Sequence, residues 1–161
     1  MIRNLLYLII FLVHGCASIE RATPPEQPAP RPHSAHSEAL LQALLAIGVD
    51  YRYGGKSPAT GFDCSGLVAH VYQEALGIRL PPSSEAQSRA GVPVSLAELQ
   101  AGDLVFYDTL RRPYSHVGIY LGDGNFVHAP RPGAKVRVES INNPYWRARF
   151  NGARRLDPPL F

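Results

Sequence analysis

The chain has 161 residues, 45% of them hydrophobic, with 16 Lys and Arg against 13 Asp and Glu for a formal net charge of +3. That length holds one domain once the front end is set aside. The positive balance is too mild and too evenly spread for a nucleic-acid binder; the cluster Arg147, Arg149, Arg154 and Arg155 reads as a solvated face, or as one favouring an anionic polymer or lipid surface.

Met1-Ile2-Arg3-Asn4 is a short basic segment, and Leu5 to Val13 is an almost purely apolar run, too short to span a bilayer as a mature helix. Together they predict a secretory signal over residues 1–15. The run ends in Leu12-Val13-His14-Gly15-Cys16, which resembles the bacterial lipobox, apart from His14 where a small residue is usual. That resemblance implies that Cys16 is lipidated and becomes the new N-terminus. Cys64 then stays free, and a lone thiol retained in an exported chain suggests reactivity rather than packing. Residues 16–36 carry Pro24, Pro25, Pro28, Pro30 and Pro32 and almost no large apolar residue, so they are predicted to form an extended linker, roughly 3 Å per residue where polyproline-like.

The folded domain is predicted over residues 37–161. Ser37 to Ile47 reads as a helix, with Leu40, Leu41, Leu44 and Leu45 at helical spacing and Gly48 as terminator. Tyr51-Arg52-Tyr53-Gly54-Gly55 is predicted to be a tight loop, where adjacent glycines permit close backbone approach. A second helix starts at Cys64, carries Leu67, Val68, Val71, Tyr72, Ala75 and Leu76, and stops at Gly77. Pro81-Pro82-Ser83 opens a short helix, and Ser95-Leu96-Ala97-Glu98 is a capping box. From Asp103 the pattern turns to strands: Asp103 to Tyr107, His116 to Leu121, Asn125 to Ala129 and Lys135 to Glu139. Helices first and strands second predict an α+β fold, with helices on one side of an antiparallel sheet of about five or six strands. Papain-like enzymes are built this way.

Cys64 falls in the first turn of its helix, where unpaired N–H groups and the helix dipole favour a thiolate. His116 and His128 are the candidate partners, and hairpin register decides whether they meet. A two-residue loop would set Ile119 opposite His128 and turn His116 to the other face. A three-residue loop, Gly122 to Gly124, sets Gly118 opposite His128 and brings both histidines to one face; a bulge would serve as well. In that odd register, the one expected, His116 is the base for Cys64 and His128 orients it. The Cys64 N–H and Tyr51 are candidate oxyanion donors. Asp63 caps the helix or binds a substrate amine, and Ser65 lines the cleft or serves only the helix start. His14, His33, His36 and His70 are assigned no chemistry; His70 is expected on the exposed side of its helix or packed as a spacer.

Five ordered blocks, Tyr51-Arg52-Tyr53-Gly54-Gly55, Asp63-Cys64-Ser65-Gly66-Leu67-Val68, Gly102-Asp103-Leu104-Val105-Phe106, His116-Val117-Gly118-Ile119-Tyr120 and Phe126-Val127-His128-Ala129, resemble the NlpC family of cell-wall endopeptidases. The likeness runs from about Leu40 to Leu156; Asp108 to Tyr114 departs from it in length and charge. The resemblance implies a papain-like fold, a Cys64–His116–His128 triad, Tyr51 in the active site and Asp63 bordering the substrate pocket. It implies hydrolysis of peptide bonds in peptidoglycan stems or cross-links, usually next to D-glutamate or diaminopimelate, with no cofactor and no metal. The expected partners are peptidoglycan and, through the N-terminal lipid, a membrane. Ala17 after Cys16 favours the periplasmic face of an outer membrane by the usual sorting tendency of such lipoproteins. Three alternatives stay open: a non-catalytic wall-binding or scaffold lipoprotein on the same fold, a zinc hydrolase ligated by Cys64, His116 and His128, and an acyltransferase or amidase sharing the thioester chemistry.

Overall fold

The structure, a computed structural model, describes residues 32–156, with side chains from His36 onward. The predicted signal, the expected lipidation site at Cys16 and the proline-rich run as far as residue 31 lie outside the described residues. The first helix, α1, spans Pro32–Leu45 and so begins five residues before the predicted start. Pro32 is its first residue, a position where the absent N–H costs nothing. The buried face of α1 is not leucine but Ala39 and Ala43, continued by Ala46 just past its end, while Leu41, Leu44 and Leu45 are exposed. Small side chains at this spacing let α1 lie close against the second helix.

That helix, α2 (Cys64–Leu76), follows the short ribbon β1 (Lys56–Ser57) and β2 (Gly61–Phe62). Asp63 is its N-cap and Gly77, at φ +67°, its C-cap, where the cap N–H donates to the Gln73 and Tyr72 carbonyls. Leu67, Val68, Val71 and Tyr72 are fully buried, each contributing about 1.5–3 kcal/mol by the usual burial scale. The Tyr72 hydroxyl donates to the Gly102 carbonyl and ties the helix to the loop before the sheet. A single turn, α3 (Ser84–Gln87), follows, capped by Ser83.

The main sheet has six antiparallel strands in the order β3-β8-β4-β5-β6-β7, made of Val92–Val94 (β3), Leu104–Tyr107 (β4), His116–Gly122 (β5), Asn125–His128 (β6), Arg137–Ser140 (β7) and Phe150–Arg155 (β8). The capping box over Ser95 and Glu98 forms as predicted, around a 3-10 turn. The four predicted strands are present, and β3 and β8 were not foreseen. Their signal is weak because β3 is three residues long and β8 is rich in arginine. β8 also corrects the reading of the arginine cluster. Arg155 donates from Nε and Nη2 to the two carboxylate oxygens of Asp103, both at 2.8 Å, and Asp103 is 1% exposed. This arginine neutralises a buried carboxylate rather than facing solvent.

Side-chain alternation divides the core in two. Leu104, Phe106, Val117, Ile119 and Val127 pack under α2 with Leu67, Val68, Val71 and Tyr72. Val105, Tyr107, Tyr120, Phe126 and Ala153 form the second cluster around Trp146, which comes from the one-turn helix α4 (Pro144–Arg147). This is the α+β, papain-like layering expected from the order of elements.

The β5–β6 hairpin has the odd register: Ile119 pairs with Val127 and Tyr120 with Phe126. It reaches it by a different route from the predicted three-residue loop. Gly122 pairs with Asn125 across a two-residue turn, Asp123 at φ +50° and Gly124 at φ +73°, and the register shifts between Tyr120 and Gly122. One extra residue, Leu121, is absorbed in a bulge, which restores the facing that a plain two-residue hairpin would lose.

Candidate active site

Asp63 builds the tip of α2. Its Oδ1 accepts from the Gly66 N–H at 2.6 Å and the Ser65 hydroxyl at 3.0 Å, and its Oδ2 from the Gly54 N–H at 2.8 Å. The carboxylate therefore caps the helix and pins the glycine loop to it. Ser65 Oγ also reaches the Pro82 carbonyl at 2.9 Å, and Gln87 Nε2 donates to the carbonyls of Ser65 and Pro81 at 3.0 and 2.9 Å. Asp63 and Ser65 are thus both engaged in holding the turn that carries Cys64. Gln87, invisible as a site residue in the sequence, braces that turn from α3.

Cys64 is free and partly buried. The backbone N–H groups of Val117, Ser65 and Cys64 itself favour negative charge on the sulfur, and α2 packs on β5, the strand that begins at His116. Burial and the Asp63 carboxylate push the thiol up to about 11, against the lowering effect of those three N–H groups. The expectation of an acidified thiol at the helix start is corrected here: desolvation outweighs the helix-end field. Desolvation favours the neutral thiol, whose proton a neighbouring base would take during attack.

The candidate base is His116, one residue before the Val117 N–H that acts on the sulfur. His116 Nε2 and His128 Nδ1 lie 2.8 Å apart, with the rings perpendicular and their centroids 5.0 Å apart. The pairing leaves His116 Nδ1 as the ring nitrogen not engaged by His128. Gly118 makes the contact feasible. A Cβ there would fall 2.6 Å from the Phe126 ring, 2.8 Å from the Val127 carbonyl and 3.3 Å from the His128 Cβ. Both imidazoles are buried, and desolvation holds each down to about 3, helped by their mutual repulsion at His116 and by Arg137 at His128. Burial therefore favours the neutral form of both rings.

Tyr51 is half-buried in the loop between α1 and β1. Its pKa is raised, first by desolvation and then by the nearby Cys64 and Asp63, which puts its hydroxyl within the electrostatic reach of the sulfur. His70 lies on α2 with its ring 5.1 Å from that of Phe62, packed as a spacer. Cys16 lies outside the described residues.

Sequence reasoning missed Trp146 and Glu139. Trp146 stacks on His116, with centroids 5.5 Å apart and planes at 25°, and meets His128 edge-on at 4.9 Å. Its indole N–H donates to Glu139. Trp146 is the chain's one tryptophan, which was a signal; Glu139 offered none until the β6–β7 register was known.

Residues 48–155 match the NlpC/P60 family. Over 124 residues the chain is 41% identical to the murein DD-endopeptidase MepH of Escherichia coli, covering 75% of this chain and 46% of that protein. It is 42% identical over 127 residues to the gamma-DL-glutamyl hydrolase of Bacillus subtilis, covering 78% and 30%. The chain thus spans less than half the length of either relative. Among solved structures, the NlpC/p60 domain of the peptidoglycan hydrolase SagA superposes with a TM-score of 0.65 at 36% identity, covering 75% of this chain and 98% of that one.

Proposed function

The chain belongs to the NlpC/P60 family, and from that premise we propose that it is a cysteine peptidase hydrolysing amide bonds in peptidoglycan stem peptides or cross-links. The observation that carries the reading is the 2.8 Å contact between the two imidazoles, one of them on the strand against which the Cys64 helix packs.

The chemistry follows from the resting charges. The Cys64 thiol is neutral, so His116 Nδ1 takes its proton as the sulfur attacks the amide carbonyl. The imidazolium keeps its Nε2–H directed at His128 Nδ1. The Cys64 N–H and the Tyr51 hydroxyl stabilise the oxyanion, each such donor typically worth about 10²–10³ in rate. The tetrahedral species collapses as His116 returns the proton to the leaving amine, and the acyl group stays on sulfur as a thioester. Water, deprotonated by His116, then attacks the thioester and frees the thiol. Proton transfer of this kind contributes about 10²–10⁴-fold. Asp63 and Ser65 support this reading by fixing the helix tip, with Asp63 bordering the substrate.

The lipid anchor is part of the same proposal. The lipobox-like run ending at Cys16 supports acylation there, and the proline-rich stretch after it would hold the domain off the membrane. Ala17 favours the periplasmic face of an outer membrane.

The test is digestion of purified sacculi and of defined cross-linked muropeptides, with products identified by mass. The expected products carry new amino and carboxyl ends within the peptide stems. Sacculi that bind the protein and are not cut, or products cut only in the glycan strand, would overturn the proposal.

A further inference from the structure

Among the described residues, three buried side-chain atoms have no hydrogen-bond partner: Gln87 Oε1, the Tyr107 hydroxyl and His128 Nε2. A buried polar atom left without a partner is costly. His128 Nε2 is the one that continues the line of the site, beyond the nitrogen that meets His116. Facing it is Glu139 Oε1 at 3.6 Å, on a side chain only 20% exposed. The β6–β7 register explains the approach: His128 pairs with Arg137 and Phe126 with Glu139, so Glu139 is the diagonal neighbour of His128 on one face.

The carboxylate is held from two further sides. Arg137 Nε donates to Oε1 at 2.6 Å, its Nη2 lies 2.5 Å from the same oxygen, and the Trp146 indole N–H donates to Oε2. Trp146 in turn stacks on His116. Glu139 is therefore aimed at His128 by groups that also pack the histidine pair. The 3.6 Å gap is longer than a hydrogen bond, whose usual length is about 2.9–3.0 Å. Contacts of catalytic groups are often long in the free enzyme and tighten when substrate binds.

We propose that Glu139 is a positioning residue: it accepts the Nε2–H of His128 and so selects the tautomer that leaves His116 Nδ1 free to receive the Cys64 proton. This rests on the catalytic reading of Cys64, His116 and His128 above. A carboxylate only accepts, so His128 must carry its proton on Nε2. Its Nδ1 lone pair then accepts from His116 Nε2–H, and the His116 lone pair sits on Nδ1. The opposite tautomer of His128 would donate from Nδ1 and force the His116 proton onto Nδ1, where it blocks the base. During attack one proton moves from sulfur to His116 Nδ1 and sulfur keeps the electron pair. His128 and Glu139 lose and gain no proton. The charged and titratable groups around His128 fit this role. His116 faces it from β5, and Arg137 and Glu139 from β7; Arg137 disfavours charge on His128, while Glu139 favours it on His116.

The test uses ring-nitrogen NMR of the folded chain without substrate, together with steady-state kinetics on a defined muropeptide, for wild type, Glu139→Ala and Glu139→Gln. Wild type is expected to show His128 and His116 each protonated on Nε2. Glu139→Ala is expected to mix the His128 tautomers and to lower kcat by roughly 10–100-fold with KM nearly unchanged, the scale on which a metal-ligating histidine responds to loss of its outer hydrogen-bond partner. Glu139→Gln keeps an accepting amide oxygen and is near in shape, so it should restore the tautomer and most of kcat. A wild type with the His128 proton on Nδ1, or a Glu139→Ala chain with wild-type tautomer and kcat, would overturn the proposal. Because the tautomer is read without substrate, correct tautomers in a chain that cuts nothing would sink the proposed function and leave the role of Glu139 standing.

Discussion

The Cys64→Ala chain is expected to fold as wild type does and to lose hydrolysis of muropeptides by more than about 10⁴-fold, the scale on which removal of an acyl-transfer nucleophile is felt. The fold should survive because the side chain adds little to it. Cys64 is only partly buried, and the tip of α2 is held by Asp63, Ser65 and Gln87, not by the sulfur. The turnover should not survive, because no other described cysteine remains and the neutral imidazoles have no thiol to deprotonate. Far-ultraviolet dichroism and a denaturant midpoint check the first half, and product release from muropeptides checks the second. A folded Cys64→Ala chain that still releases stem fragments at a comparable rate would assign the chemistry elsewhere.

Gly66→Ala is expected to destabilise the fold strongly and to displace the tip of α2. A Cβ at Gly66 would lie 2.0 Å from the Gly55 carbonyl oxygen and 3.1 Å from Asp63 Oδ1. The carbonyl cannot retreat easily, since a Cβ at Gly55 would itself fall 2.3 Å from the Gly61 carbonyl oxygen and the loop is pinned by the Gly54–Asp63 bond. Two effects oppose each other. Alanine gains about 1 kcal/mol of helix propensity over glycine, whereas overpacking typically costs about 1–3 kcal/mol, occasionally more, and a 2.0 Å approach to backbone belongs at the upper end. The clash wins, so the urea midpoint should fall and, in whatever fraction folds, the displaced tip of α2 should withdraw Cys64 from His116. A Gly66→Ala chain as stable as wild type would mean that the helix tip is not seated on the glycine loop.

How far the sequence could be read depended on whether a feature was local. The α2 start was legible because Asp63, Cys64 and the following apolar spacing are contiguous, and a cap is a short-range device. The tight glycine loop was legible for the same reason. The meeting of His116 and His128 was legible only conditionally, since it depended on whether a residue was added to the loop or to the strand. The bulge at Leu121 has no side-chain signature, but it yields the same register as the longer loop. The helix α1 was legible from leucine spacing, but its buried face is Ala39 and Ala43, because close helix approach favours the smaller side chains. β8 and the Arg155–Asp103 pair were hidden because 52 residues separate the partners and arginine ordinarily marks solvent. The thiol was expected to be acidic from its helix position alone; its desolvation depends on β5 closing over it, which is a tertiary fact.

Rapid acid quench of the wild-type chain with a cross-linked muropeptide, followed by intact and peptide-level mass spectrometry, would decide whether the sulfur does the chemistry. A transient mass gain equal to the acyl half of the cleaved peptide should appear on the segment containing Cys64 and vanish as product accumulates. Turnover in the same mixture with Cys64 unmodified at every quench time, or with the acyl group on another residue, would contradict the thioester route.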